Sequence, residues 1–275
     1  MPIPDPPDSL DPVSRFSLPS SCLDSAGETL ATIIKDEPYE YADGTPVSNW
    51  WGDYYRGNMT MREPSSSPPI SVQSRHSLRS HLSLASHTAR SSGSLLVESR
   101  TTEDGRVFTD IQQPLALGGI TDGVYNYEMC AAYATIANGG VYQEPIMYTK
   151  ILDHDGNVLL DRTQTQEKRT VLKESTAYLL TSAMEGVLTE GTGTPARLSN
   201  MAAAGKTGTT SNNVDLWFAG FTPYYTCTIW TGLMTIPRLQ IRNGIIICGC
   251  GNRSWSRSIP QKSFPTQILK FRIPL

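Results

Sequence analysis

The stretch from residue 205 to residue 223 constrains the fold more than any other part of the chain. It reads Gly-Lys-Thr-Gly-Thr-Thr, then Ser-Asn-Asn-Val, then Asp-Leu-Trp-Phe-Ala-Gly-Phe-Thr-Pro. Gly208 and the neighbouring threonines disfavour a helix around Lys206, whereas the Ser-Asn-Asn run is typical of a turn. Strands are expected near 215–221 and 225–232. These residues predict antiparallel strands, the first of which presents a lysine and several hydroxyl groups.

Two helices and a hairpin are predicted before these strands. Apolar residues recur at helical spacing from Tyr127 to Asn138, and two glycines then end the helix. Strands near 148–152 and 158–161 flank Asp155-Gly156, which is typical of a hairpin turn. A second long helix has an apolar face formed by Leu179, Leu180, Ala183, Met184 and Val187. Helices followed by neighbouring strands predict an α+β fold, with an antiparallel sheet covered by helices.

Three stretches differ in composition from the rest of the chain. Residues 1–25 are rich in Pro and Ser, and residues 233–275 carry Lys and Arg but no acidic residue. Residues 64–94 are roughly one third Ser and lack acidic, lysine and aromatic residues, which predicts an unfolded polar linker. We therefore expect one domain over 26–232, interrupted at 64–94, with aberrant segments at both ends.

Charge and cysteine content exclude several classes of function. The net charge is -3, so we expect no nucleic-acid partner. The five cysteines are scattered and predict neither a disulfide framework nor a metal site, and no cofactor is expected. The first 25 residues lack the apolar core of a signal peptide, and the apolar run at Ile245–Ile247 is too short to cross a bilayer. Any membrane anchor is expected outside this chain.

Several motifs, in a fixed order along the chain, resemble the transpeptidase domain of class A penicillin-binding proteins. The most specific is Lys206-Thr207-Gly208, which is similar to the Lys-Thr-Gly signature of penicillin-recognising serine acyltransferases. The other pieces are Ile34-Lys35-Asp36, Tyr55-Arg56-Gly57-Asn58-Met59-Thr60, Ala116-Leu117-Gly118-Gly119, Glu128-Met129-Cys130-Ala131-Ala132-Tyr133, Ala137-Asn138-Gly139-Gly140, Gly191-Thr192-Gly193-Thr194 and Asp215-Leu216-Trp217-Phe218-Ala219-Gly220. The resemblance covers roughly two-thirds of the chain.

The resemblance implies a β-lactamase-like, three-layer α/β/α domain around an antiparallel sheet, incomplete in this chain. It implies a serine D,D-transpeptidase that transfers an acyl group from D-Ala-D-Ala and cross-links peptidoglycan stem peptides. β-Lactam antibiotics would acylate such an enzyme. The family works on the outer face of the bacterial cytoplasmic membrane. Class A members also carry an N-terminal membrane helix and a glycosyltransferase domain, neither of which is recognisable in this sequence.

The same resemblance assigns roles to four consecutive residues. Lys206 would be the catalytic residue that places a positive charge beside the substrate carboxylate. The hydroxyls of Thr207 and Thr209 would bind that carboxylate, and Gly208 would let the substrate lie close to the strand. The backbone N–H of Thr209 would stabilise the oxyanion of the tetrahedral intermediate.

The other two signatures of the family are missing. No serine has a lysine three residues later, so no nucleophile is identifiable. Ser211-Asn212-Asn213 is the only Ser-x-Asn sequence, and it is better explained as a turn directly after the lysine strand. The transpeptidase is therefore expected to be inactive as written.

The gaps coincide with the aberrant segments, which suggests disruption of the reading frame. Codons chosen for residues 7–16, read from the third base, encode Arg-Gln-Pro-Gly-Ser-Ser-Phe-Lys-Ile, which contains Ser-x-x-Lys. Codons for residues 63–81 at the same offset allow a sequence with Ser-x-Asn, and those for 233–238 allow Tyr-Asp-Asn-Thr-Lys. We therefore hypothesise that these stretches are translated out of frame.

Two alternatives stay open from the sequence. The first is a non-catalytic remnant that only touches peptidoglycan. The second is a nucleotide-binding protein, because residues 200–207 nearly fit the phosphate-binding loop Gly-x₄-Gly-Lys-Ser/Thr. That loop requires a glycine where Asn200 stands, and it requires a helix that begins at Lys206.

Overall fold

The computed structural model of the chain describes residues 22–24, 27–40, 44, 46–47, 49, 54–62, 82–93, 96–112, 115, 119–209 and 215–232. In chain order the elements are β1 (Ile33–Asp36), β2 (Tyr39–Glu40), β3 (Pro46–Val47), β4 (Gly57–Thr60), α1 (Leu82–Ser91), β5 (Arg100–Thr101), β6 (Val107–Phe108), α2 (Asn126–Ala137), β7 (Val141–Gln143), β8 (Lys150–Leu152), β9 (Val158–Asp161), α3 (Arg162–Thr165), β10 (Lys168–Thr170), α4 (Glu174–Thr189), a 3₁₀ turn (Thr194–Ala196), β11 (Ala204–Thr209), β12 (Asp215–Phe221) and β13 (Thr226–Gly232).

The largest sheet in the described part of the chain has three antiparallel strands in the order β11-β12-β13. Its register pairs Lys206 with Ala219 and Thr207 with Phe218, and β11 is the outer strand. The strands predicted over 215–221 and 225–232 are confirmed to within one residue. The remaining described strands form five two-stranded antiparallel pairs, including the predicted β8-β9 hairpin.

Helices α2 and α4 pack against this sheet and against each other. The shared core contains Met129, Tyr133, Leu180, Met184 and Trp217, each less than 8% exposed. Both helices were expected from their apolar spacing, and the α+β prediction is confirmed. Two glycines with φ of 62° and 92° end α2, and a side chain on the second would lie 2.2 Å from the Leu172 carbonyl oxygen. Only glycine fits that turn.

The prediction of an unfolded linker over residues 64–94 is wrong for residues 82–93, where α1 and its C-terminal turn lie. Small side chains explain the difference, because Ser86, Thr88, Ala89 and Ser92 are all buried at helical spacing. The Arg169 Nε–H donates to the Ser91 carbonyl at 2.8 Å and ties the end of α1 to β10. The serine-rich composition therefore did not indicate that one face of this helix is packed. Residues 63–81 lie outside the described part.

The N-terminal segment also enters the core earlier than expected. Cys22 and Leu23 are buried with α2 and α4. Asp24 accepts hydrogen bonds from the Lys173 backbone N–H at 2.8 Å and from the Thr176 hydroxyl at 2.9 Å. Because the first N–H groups of a helix lack internal acceptors, Asp24 supplies one at the start of α4. The expected boundary at residue 26 therefore excludes three packed residues.

Candidate active site

Lys206 lies in the middle of β11 and is 8% exposed. Its Nζ donates a hydrogen bond to the Thr207 carbonyl oxygen at 3.1 Å. The strand continues to Thr209, so no helix begins at this lysine. A phosphate-binding loop needs a helix there, and the structure therefore contradicts the nucleotide-binding alternative.

The pairing with β12 fixes which side chains share a face. Side chains alternate along a strand, so Thr207 and Thr209 lie on one face while Lys206 and Gly208 lie on the other. The two threonines are half-buried. Backbone groups of alternate residues also point to the same side, which places the Thr207 carbonyl and the Thr209 N–H together. The structure thus brings all four predicted site residues into one outer strand of the described sheet.

A residue outside the predicted set contacts this strand. The hydroxyl oxygens of Thr192 and Thr207 are 2.8 Å apart. Thr192 lies in the Gly-Thr-Gly-Thr loop that follows α4, and the loop is among the matching motifs, but its chemistry alone assigns it no role. Only the packing of α4 on β11 shows that the two hydroxyls meet.

The loop is fixed to the last turn of α4 by its glycines. The Gly191 N–H donates to the Gly186 carbonyl at 3.2 Å, and the Gly193 N–H donates to the Val187 carbonyl at 3.0 Å. A side chain on Gly193 would lie 2.8 Å from the Leu188 Cδ2 atom. Thr192 is therefore exposed on a loop whose flanking glycines are hydrogen-bonded to the helix.

Cys130, in the second turn of α2, carries a thiol that could in principle act as a nucleophile. Its surroundings make it inert. Its Sγ donates to the Thr226 carbonyl at 3.8 Å, and the residue is 1% exposed. Desolvation by burial is the main cause that raises the pKa of its thiol to about 12. Because the thiolate is the nucleophilic form, Cys130 is not a candidate nucleophile.

The segments in which the family's nucleophile would be sought lie outside the described residues. These segments are residues 7–16 and 63–81, and the turn predicted at Ser211-Asn212-Asn213 also lies outside the described residues. Among the residues that the structure describes, no helix combines the length and apolar character needed to cross a bilayer.

The sequence of the chain is similar to those of known penicillin-binding proteins. The family described as penicillin binding protein transpeptidase domain matches residues 28–244. Penicillin-binding protein 1A of Streptococcus pneumoniae is 29% identical over 262 residues, which are 86% of this chain and 34% of that protein. Penicillin-binding protein 1A of Clostridium acetobutylicum is 42% identical over 119 residues, 43% of this chain and 14% of that protein. The chain thus spans about a third of the length of the pneumococcal relative.

Solved structures show the same fold. The PonA1 protein of Mycobacterium tuberculosis in complex with penicillin V superposes with a TM-score of 0.71 at 21% identity, covering 97% of this chain and 74% of that one. Penicillin-binding protein 1A of Haemophilus influenzae gives a TM-score of 0.69 at 18% identity, covering 95% and 43%. The family match covers well over half of the chain, and the solved structures share its fold. On these grounds the chain belongs to the penicillin-binding protein transpeptidase-domain family.

Proposed function

We propose that this chain carries the substrate-binding half of a D,D-transpeptidase site and binds the carboxylate of peptidoglycan stem peptides that end in D-Ala-D-Ala. β-Lactam antibiotics, which also carry a carboxylate, would occupy the same place. The observation that supports this most directly is the outer strand β11, in which Lys206 alternates with Thr207 and Thr209. The family's motif gives each of these side chains a role in carboxylate recognition.

Carboxylate binding follows from the chemistry of this strand. An ammonium group that is largely withdrawn from water attracts a carboxylate more strongly than an exposed one does. Two hydroxyl groups on one face can donate hydrogen bonds to the two carboxylate oxygens, and such charge-assisted bonds are the stronger kind. An outer strand also offers unpaired backbone groups to an extended peptide. The Thr209 N–H would be the donor to the oxyanion only in a chain that also carries a nucleophile.

The chain is proposed to bind without forming an acyl-enzyme. Acyl transfer requires a nucleophile and a base that takes its proton, and the sequence holds no Ser-x-x-Lys. Carboxylate recognition alone supplies neither. The proposal therefore separates recognition, which β11 provides, from covalent catalysis, which it does not. In this proposal the chain is a non-catalytic remnant. Stem peptides and antibiotics are its weak, reversible ligands.

Fluorescent penicillin tests the catalytic part of this proposal. The purified 275-residue chain should show no labelled band after denaturing electrophoresis, whereas an intact class A relative labelled in parallel should. A band at the mass of the chain that survives denaturation would show that a nucleophile exists after all.

Peptide binding tests the recognition part. N-acetyl-D-Ala-D-Ala should bind measurably by ligand-observed NMR, and its C-terminal amide should bind at least about tenfold more weakly, because hydrogen bonds to a charged group contribute about 1.5–3 kcal/mol. Lys206→Met should remove this preference. Lys168→Met, which alters an exposed strand lysine of β10, should retain it. Equal binding of acid and amide would contradict carboxylate recognition.

We also propose an out-of-frame origin for the aberrant segments and an extracytoplasmic location for the domain. We infer that a domain close to residues 26–232 works on the outer face of the cytoplasmic membrane. The nucleotide sequence tests the frame hypothesis. Codons for residues 7–16 that cannot spell Ser-x-x-Lys at the shifted offset would exclude it.

A further inference from the structure

The Thr192–Thr207 hydroxyl pair has a feature that the transpeptidase motifs do not explain. Both groups can donate and accept, and their oxygens are 2.8 Å apart, which is a good hydrogen-bond distance. The residues belong to different elements, since one lies in the loop after α4 and the other in β11. A hydroxyl turns about its own C–O bond, so its proton follows whichever acceptor is strongest.

The direction of this hydrogen bond decides what the strand can offer a ligand. If the Thr207 hydroxyl donated to Thr192, its proton would be engaged and only its oxygen lone pairs would face a bound carboxylate, which repels them. If Thr192 donates, the Thr207 oxygen is satisfied as an acceptor and its own proton is available. A bound anion favours the second arrangement, because consecutive hydrogen bonds polarise one another.

We propose that Thr192 is a positioning residue, which donates its proton to Thr207 and thereby directs the Thr207 hydroxyl proton toward the ligand carboxylate. This inference rests on the proposed carboxylate recognition by β11. Thr192 itself need not touch the ligand.

The support behind Thr192 is suited to this task. The glycines on both sides of Thr192 donate backbone hydrogen bonds to the last turn of α4, at 3.2 Å for Gly191 and 3.0 Å for Gly193. Gly193 is buried and tolerates no side chain without displacement of Leu188. Positioning requires that the donor's own location be fixed, because a loosely held hydroxyl would be no better than a water molecule.

Peptide binding to four variants of the full chain tests the role. The readout is the affinity ratio of N-acetyl-D-Ala-D-Ala to its C-terminal amide, which a loss of overall stability would not change. Thr207→Val should reduce this ratio about tenfold, as expected when a hydrogen bond to a charged group is lost. Thr192→Val should reduce it about threefold to fivefold, and Thr192→Ser should restore it. Thr194→Val, an exposed threonine of the same loop, serves as the matched control.

The double variant Thr192→Val/Thr207→Val gives the decisive comparison. It should be no worse than Thr207→Val alone, because Thr192 acts only through Thr207. Additive losses would show that Thr192 acts independently and would overturn the inference. A wild-type ratio that Thr192→Val leaves unchanged would overturn it as well, while carboxylate recognition would stand. If the wild-type chain itself shows no preference for the acid, the proposed recognition fails and the positioning role fails with it.

Discussion

Cys130 illustrates how burial decides the chemistry of a side chain. Its thiol pKa is raised to about 12, mainly by desolvation, whereas the thiol ionises near pH 9.0 in an exposed chain. The folded state therefore holds the proton more tightly than the unfolded state, so the stability contribution is complete below pH 9 and falls as pH rises toward 12.

Urea unfolding at several pH values checks this consequence. Between pH 9 and pH 11 wild type should lose about 1 kcal/mol per pH unit more than Cys130→Ala does. The difference between the two proteins removes the contribution of tyrosines and lysines that titrate in the same range. Parallel pH dependence of the two proteins would contradict a buried, protonated thiol.

Sequence reasoning identified the residues of β11 but not Thr192. Lys206, Thr207, Gly208 and Thr209 are consecutive, so one short motif is enough to find them. The Thr192 hydroxyl meets Thr207 only because α4 packs on β11 and then turns sharply at its end. No periodicity carries that information, since the contact depends on where a helix ends relative to a strand.

Two glycines, one in the loop after α4 and one inside α4, have opposite expected effects. A side chain on Gly193 would lie 2.8 Å from Leu188 Cδ2, so Gly193→Ala should destabilise the chain by about 1–3 kcal/mol through overpacking. Gly186 lies inside α4 with no atom within 4 Å of an added Cβ, so Gly186→Ala should stabilise by about 0.5–1 kcal/mol.

Thermal or urea unfolding measures both glycine variants directly. Gly193→Ala should also weaken the preference for the peptide acid, because the displaced loop carries Thr192. Gly186→Ala should leave that preference unchanged. Destabilisation by Gly186→Ala would contradict the open surroundings of this glycine.

Elements with a strong local signal were predictable, and α1 was not. The helices α2 and α4 repeat apolar residues at helical spacing, and the β8-β9 hairpin has an Asp-Gly turn. Helix α1 buries serine, threonine and alanine instead, a pattern that average composition reads as disorder. Only the folded structure shows that Ala89 of α1 joins the shared core and that Arg169 of β10 bonds to the end of the helix.

For the molecule as a whole, the β8-β9 hairpin predicts self-association. Leu152, Val158 and Leu159 are each more than half exposed and lie together on this hairpin. Neighbouring exposed apolar side chains favour association more than isolated ones do. Leu159→Lys should therefore raise the concentration at which light scattering detects oligomers. Tyr178→Lys, which changes an isolated exposed residue of α4, should have little effect. Equal behaviour of the two variants would exclude the hairpin as the contact.

Helix α4 connects two distant parts of the molecule. Asp24 supplies the acceptor at its first turn, and the loop with Thr192 follows its last turn, 16 residues later. A helix of that length spans about 24 Å and is stiff over the distance. Peptide binding to β11 should then slow proteolysis of the N-terminal residues. Because linked equilibria are reciprocal, cleavage after Asp24 should lower the affinity for the peptide. Residues at the start of the folded chain would thus influence ligand affinity from the far end of α4.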